Sequence, residues 1–454
     1  MTLNIRFLGG ADTVTGSKYC VEHDGKKLLV DCGLFQGYKQ LRLRNWDPCP
    51  LPPKDVSAVI LTHAHLDHSG YLPLLARNGF AGKVHSTAGT RDLCAILLPD
   101  SGHIQEEDAY FANKHGYSKH DPALPLYTQQ DAKYCMQQFH VEKLNEWFQP
   151  LPGWNAKFST AGHILGAASL LLNVAGKRIL FSGDLGRPDD SLMNPPDAPP
   201  QADTVLIEST YGNRIHPEEN VDAELGAALK KVSARGGVAV VPVFAVGRAQ
   251  AILHSIAKLK ASGKIPHGLP VFLDSPMAIH TTALFSHHMD EHRLSPQEVK
   301  ALDHVATMVE TPEQSKALIK RHGPMVILAA SGMATGGRVL HHLANHVGNH
   351  RNMVILTGFQ SPGTRGATLA SGAATIRLHG KDLPVAAEIV QLSSASAHAD
   401  GNQLLAWLKR MPQAPAQVYV GHGEREASDA LRQRIERELK MRAVVPEHAS
   451  VWPG

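Results

Sequence analysis

Residues 63–68 read HAHLDH, one residue after the apolar run Val56–Leu61. His63, His65, Asp67 and His68 offer imidazole and carboxylate, the ligands zinc prefers where no thiolate is at hand. His63 and His65, two residues apart, can reach one ion. Asp67 and His68, offset by a residue, can turn toward a second beside it. One loop cannot fill two coordination spheres, so further ligands are expected at the ends of other strands. His163 in STAGHILGA, Asp184 in LFSGDLG and His422 in VYVGHGE fit: each is polar, borders an apolar segment and is flanked by glycine, which lets backbones approach closely. Taken singly, each reads equally well as a turn or cap residue; with HAHLDH they form a set. Two ions about 3.5–4 Å apart can share a hydroxide and stabilise charge on a phosphodiester under attack. No GxxxxGK[ST] loop occurs, so the chain reads as a hydrolase rather than a motor.

The elements that must position these residues read in two textures. The first 60 residues are short strands at Ile5–Leu8, Lys18–Glu22 and Lys27–Val30, then Val56–Leu61. Residues 90–150 read as helical, best in QEEDAYFANKHG and QQDAKYCMQQFHVEKL. Strands resume at Leu170–Val174, Ile179–Phe181 and Thr204–Ile207. After Glu208 strands alternate with helices (Val238–Val241, Val271–Leu273, Met325–Leu328, Met353–Leu356), which argues a parallel sheet wrapped by helices. Three of these strands run into a Gly-bearing loop and then an arginine: Arg248, Arg338 and Arg365. Loops at the carboxyl ends of parallel strands are where such sheets bind ligands.

Composition narrows the class. With 454 residues, about three domains of ~150 residues is a ceiling. A 43% hydrophobic and 19% charged chain is an ordinary globular protein, and a net charge of +3 is too balanced for a nucleic-acid-coating tail. The five cysteines are odd in number and include no CxxC, which argues against a disulfide framework or thiolate zinc site and fits a reducing compartment. No signal peptide opens the chain and no apolar run reaches the ~18 residues of a membrane span, so a cytoplasmic protein off the membrane is expected.

HAHLDH, His163, Asp184 and Asp31 in LLVDCG resemble the metallo-β-lactamase fold pattern. Glu208 in IESTYG, His398 in SAHAD and His422 in GHGE resemble the three further motifs of the β-CASP branch of RNA-processing nucleases, as do PVFAVGRAQ, TAGHILGAASL and LLPDSGHIQEEDA. The resemblance runs from VTGSKY to GHGE. It implies an α/β fold: an αββα metallo-β-lactamase sandwich (1–208 and 391–454) with an inserted β-CASP domain (209–390) that clamps RNA. It further implies two zinc ions per chain. His63, His65 and His163 would hold one, Asp67, His68 and His422 the other, and Asp184 would bridge. Asp31 would orient a ligand, Glu208 would support the proton network and His398 would face the scissile phosphate; with Asp67 these make up the expected catalytic set. The implied activity is hydrolysis of RNA, expected to be single-stranded, by a two-metal-activated hydroxide that leaves 5′-phosphate and 3′-hydroxyl ends, as an endonuclease or 5′-exonuclease.

Competing readings stay open. The metal motif alone is shared with hydrolases of small esters, thioesters or DNA, and an inactive RNA-binding partner subunit would share the fold. The ~180-residue parallel insert and the retained ligands favour an RNA-cleaving enzyme. Arg248, Ser331, Arg338, Arg365 and Ser396 are candidate RNA-phosphate contacts, with structural caps as the rival reading for the arginines. His342, His346 and His350, and likewise His287, His288 and His292, are expected to be exposed and adventitious. Lys230, Lys231, Arg235 and RQRIERELKMR are expected on solvated helix faces. With 32 residues after His422, no appended module is expected, and affinity for RNA should come mostly from phosphate contacts. A homo-oligomer is compatible with all of this.

Overall fold

The computed structural model describes residues 2–116, 118–217, 220–358, 360, 363–392 and 396–454. Parts of two singled-out loops, at residues 359, 361 and 362 and at the start of SASAHAD, lie outside the described residues. The chain divides into two compact units, Met1–Ile215 with His398–Gly454, and His216–Ala397.

The first unit is a sandwich of two seven-stranded sheets. One runs, edge to edge, Val451–Pro453, Asn4–Gly9, Lys18–His23, Lys26–Val30, Val56–Ile60, Lys83–Ser86 and Phe139–Val141. The other runs Ala443–Val444, Gln417–Val420, Thr204–Ile207, Lys177–Phe181, Ala168–Val174, Trp154–Thr160 and Trp147–Leu151. Alternate residues of each sheet meet in one core: Ile5, Phe7, Tyr19, Leu28, Val30 and Ile60 from the first, Phe158, Leu170, Leu172, Ile179 and Phe181 from the second. Leu29 and Val59 face away from that core and are still buried, so these strands read as continuous apolar runs. Helix Ala88–His115 packs by Phe139–Val141, and Arg425–Arg434 by Gln417–Val420. This is the αββα sandwich that the motifs imply.

The second unit carries a six-stranded, wholly parallel sheet in the order Thr307–Met308, Val271–Asp274, Met325–Ala329, Val238–Pro242, Met353–Thr357 and Glu388–Leu392. Its central strands are buried at every position. The expected alternation with helices holds, through Val221–Ala234, Arg248–Ala261, Pro296–His304 and Val339–His346.

Three readings are corrected. The helix expected through QQDAKYCMQQFHVEKL ends at Cys135, and Phe139–Val141 is a strand paired with Lys83–Ser86; its β-favouring residues and an open sheet edge override the helical pattern. His342 and His346 are buried, not exposed, because they complete with Val339 and Leu343 the inward stripe of their helix. His292 is buried too, its Nε2 2.9 Å from the Phe285 carbonyl, whereas His287 and His350 are exposed as expected. Among the described residues no helix is long and apolar enough to cross a membrane.

Candidate metal centre

The centre is assembled within the first unit, at the carboxyl ends of parallel strands from both sheets. Lys26–Val30 delivers Asp31, and its parallel neighbour Val56–Ile60 delivers HAHLDH. In the other sheet Lys177–Phe181, Thr204–Ile207 and Gln417–Val420 are parallel neighbours, so Asp184, Glu208 and His422 emerge at the same end. His163 comes from the turn before Ala168–Val174. The HAHLDH loop is pinned by its backbone: Ser17, Cys32 and Leu34 N–H donate to the carbonyls of Asp67 (2.8 Å), His68 (2.7 Å) and Leu66 (2.8 Å). A Cβ at Gly33 would overlap the Asp67 carbonyl, so the close approach requires glycine there. Asp31 and His422 adopt left-handed backbone, with φ of 60° and 46°, a local strain held by the surrounding structure.

Side-chain atoms converge in two sets that share one carboxylate. His63 Nε2 and His163 Nε2 lie 3.2 and 3.3 Å from His65 Nδ1, and 3.4 and 3.7 Å from Asp184 Oδ2. His68 Nε2 and His422 Nε2 lie 3.3 and 3.4 Å from Asp184 Oδ1, with Asp67 Oδ2 4.0 Å from His422 Nε2. Around zinc bound at 2.0–2.1 Å, the edge of a tetrahedron is about 3.3–3.4 Å, so most of these spacings are those of ligands on one ion. Asp184 Oδ1 and His68 Nε2 are buried and have no hydrogen-bond partner among the described residues. The nitrogens facing away from the centre are engaged. His68 Nδ1 meets Asp31 Oδ2 at 2.8 Å, His422 Nδ1 meets Ser17 Oγ at 2.8 Å, and His63 Nδ1 meets Thr62 Oγ1 at 3.1 Å. Thr62 N–H in turn donates to Asp31 Oδ1 at 2.8 Å. Such outward bonds fix the ring that faces a metal. An all-nitrogen-and-oxygen donor set of this geometry fits two divalent ions.

The electrostatics point the same way. Burial alone would push the Asp184 carboxyl up, yet His422, His68 and His63 hold it well below the usual range. Burial opposes the charge on His68 as well, but Asp184 and Asp31 raise it well above an ordinary imidazole. Burial drives His63 well down and His422 to about 3, and lifts Asp67 to about 6. The buried carboxylate therefore stays ionised in surroundings that favour positive charge beside it.

Glu208 and His398 form an adjoining set with Asp184. Glu208 Oε1 accepts the Leu185 N–H at 2.6 Å, and both its oxygens lie 3.3 Å from His398 Nδ1. His398 is held by the Ala399 N–H donating to the Leu185 carbonyl, 2.7 Å, and its side chain is 20% exposed where those of Asp184 and Glu208 are 2% and 0%. Burial works against its proton, but Glu208 and Asp184 overcome this and raise its pKa.

Of the residues expected to meet RNA phosphates, Arg338 donates to Asp274 (2.7 Å) and to the carbonyls of Val309 and Glu310. Arg365 donates to the carbonyls of Arg377, Ala334 and Thr335. Arg248 opens its helix, Ser331 Oγ lies 3.0 Å from Thr335 Oγ1, and Ser396 is buried. Sequence reasoning missed Ser17 and Thr62. The only signal was adjacency, in VTGSKY and one residue before HAHLDH.

Comparison with known proteins gives three domain matches: the metallo-β-lactamase superfamily over residues 12–218, a β-CASP domain over 249–369, and a Zn-dependent metallo-hydrolase RNA specificity domain over 382–446. The chain is 36% identical over 434 residues to Ribonuclease TTHA0252 of Thermus thermophilus, covering 93% of this chain and 94% of the relative. It is 30% identical over 454 residues to an RNase J-like protein of Methanocaldococcus jannaschii, covering 99% of each. It is also 30% identical over 461 residues to transcription termination factor FttA of that organism, covering 98% of this chain and 70% of the relative. A solved protein of unknown function from Enterococcus faecalis shares the fold, with a TM-score of 0.53 at 14% identity over the whole of both chains.

Proposed function

The chain belongs to the metallo-β-lactamase superfamily, in the branch that carries a β-CASP domain, and from that premise we propose that it is a zinc-dependent ribonuclease. It would hold two zinc ions per chain and hydrolyse single-stranded RNA, leaving 5′-phosphate and 3′-hydroxyl ends. The observation that carries this reading is the division of Asp184, whose two oxygens each face a separate set of nitrogen donors at ligand spacing. The names of the relatives and the RNA-specificity match support RNA as substrate. A single strand also reaches a buried centre without the cost of unpairing.

His63, His65 and His163 would hold one ion, Asp67, His68 and His422 the other, and Asp184 both. When bound, the ions supply positive charge at the attacked phosphate and acidify water there. The chain's own residues do the rest. Asp31, Thr62 and Ser17 hold the outward nitrogens of three histidines, so the inward lone pairs stay on the centre. Asp67, the partly exposed carboxylate of the set, is assigned to hold the incoming water by hydrogen bond. Glu208 takes His398 Nδ1, which assigns Nε2 to protonate the departing ribose 3′-oxygen. The inserted domain, residues 209–390, would bind the strand. Arg248 and Ser331 within it, and Ser396 just after it, are the proposed phosphate contacts, while the intramolecular bonds of Arg338 and Arg365 favour a capping role for those two.

Metal analysis of the active protein should give about two zinc per chain. RNA digestion should stop on chelation, and its products should carry 5′-phosphate. A single zinc in active protein, or 2′,3′-cyclic phosphate ends, would overturn the reading. Digestion of RNA labelled at either end, with triphosphate, monophosphate or blocked 5′ termini, separates endonuclease from 5′-exonuclease.

A further inference from the structure

On the face of the first sheet turned away from the sandwich core lies a cavity of about 80 Å³ that none of the proposed ligands lines. Strand alternation creates it: Tyr19 points into the core, and Lys18 points the other way, into this cavity. Lys18 is only 7% exposed. Its Nζ sits 4.2 Å from the centre of the Tyr71 ring and 4.8 Å from that of Phe35. Ring faces offset part of the burial of an ammonium, but they leave its three N–H donors without a conventional acceptor. No hydrogen bond or ion pair of Lys18 Nζ occurs among the described residues.

Two more basic groups crowd the same ring. The Arg44 guanidinium lies 5.4 Å from the centre of Phe35, and the His448 ring stands edge-on to it at 6.0 Å. Arg44 forms no ion pair among the described residues, and the buried Nδ1 of His448 has no partner there. Three basic side chains therefore converge on one half-enclosed space, none of them in an ion pair among the described residues. Asp47 is the one acidic residue on the wall, and it pairs with none of the three among the described residues. The Cys32 thiol, also on the wall, is pushed up to about 12 by burial and brings no negative charge at neutral pH. Burial lowers Lys18 to about 8, the direction expected of a cation that lacks its counter-charge.

We propose that this cavity is a binding site for a compact oxyanion, a phosphate or carboxylate group, held by Lys18, Arg44 and His448 over the Phe35 ring. An oxyanion would accept from all three donors at once and offset the positive charge of Lys18 and Arg44. The site is distinct from the metal centre yet joined to it through the backbone. Lys18 follows Ser17, which holds His422, and Cys32 follows Asp31, which holds His68.

The test is competitive acetylation of lysines in the zinc-loaded full chain, read peptide by peptide against rising inorganic phosphate or acetate at constant ionic strength. Because the readout is Lys18 itself, anion binding at the metal centre does not interfere. Lys18 should be protected saturably, several-fold, while the exposed Lys54 and Lys177 are unaffected. Arg44→Gln should raise the anion concentration needed by about tenfold or more, with zinc content unchanged. Protection by both anions assigns a general oxyanion site, and protection by phosphate alone assigns a phosphate site. No saturable protection by either, or undiminished protection in Arg44→Gln, overturns the proposal.

Discussion

At the strand ends of the first unit, His63, His65, His68, His163 and His422 point inward at one another and at Asp184, closer than repelling groups would choose. At the strand ends of the second unit, buried polar groups also gather, but there they close on both oxygens of one carboxylate. Asp274 takes His342 Nε2 and Ser315 Oγ on one oxygen, both at 2.6 Å, and Arg338 on the other at 2.7 Å. Among the described residues the first cluster leaves an oxygen of its central carboxylate, Asp184 Oδ1, and His68 Nε2 without hydrogen bonds; the second uses both oxygens of its carboxylate and leaves only a nitrogen turned away from it, His342 Nδ1, unpartnered. Buried polar groups that satisfy one another stabilise a fold, and those that converge unsatisfied are arranged for something else to complete. The same residue types, His and Asp, thus serve as scaffold in one unit and form the proposed ligand set in the other.

Removing the central carboxylate from each cluster gives the largest contrast. Asp184→Ala is expected to lose both zinc ions and all cleavage, since each set depends on it, while circular dichroism stays that of the wild type. Asp274→Ala is expected to keep two zinc ions in whatever protein folds, but to cost about 3–5 kcal/mol of stability by stranding His342 and Arg338. Metal analysis and denaturant unfolding of the two variants read this directly. If Asp184→Ala keeps one tightly held zinc, or Asp274→Ala melts like the wild type, the two clusters do not differ in kind.

A smaller effect separates His398 from the ligands it adjoins. His398→Ala should retain both zinc ions and bind RNA nearly as before, yet cleave it ~10²–10⁴-fold more slowly, the usual cost of a lost general acid. On an aryl phosphodiester, whose phenolate departs unaided, the deficit should shrink sharply. Equal losses on both substrates would make His398 a positioning residue, and loss of zinc would place it among the ligands.

Much of the centre could be read from the chain because metal ligands come from few residue types, and here they stand either in HAHLDH at the end of an apolar strand or, as His163, Asp184 and His422, beside glycine near a strand end. Ser17 and Thr62 could not be, since serine and threonine are common, and Ser17 becomes an outer partner only when distant segments meet. His422 Nδ1 finds Ser17 across 405 positions of sequence. The burial of His342 and His346 is legible in principle: Val339, His342, Leu343 and His346 follow the spacing of a buried helix face, but histidine is polar enough that the spacing alone does not mark it as buried. The strand Phe139–Val141 was obscured by the helical pattern leading into it, because three residues are too few to show a period of two.

The smallest expected effect concerns that same helix. His346 is 7% exposed, its Nε2 has no hydrogen-bond partner among the described residues, and burial together with His342 lowers it to about 4. In the unfolded chain it titrates near 6.5. Between these values the unfolded state binds a proton that the folded state refuses, so stability should fall as pH drops through that window and be unaffected above it. By pH 5 the loss from this one group is about 1–2 kcal/mol. The metal-facing histidines respond in the same range, so the informative quantity is the difference from His346→Leu, which shares them. Unfolding at pH 7 and pH 5 should show the wild type losing about 1–2 kcal/mol more than the variant. An equal loss would mean that His346 is protonated within the fold, stabilised by the carbonyl end of its own helix. The second cluster would then hold an unbalanced charge, and its contrast with the first would narrow.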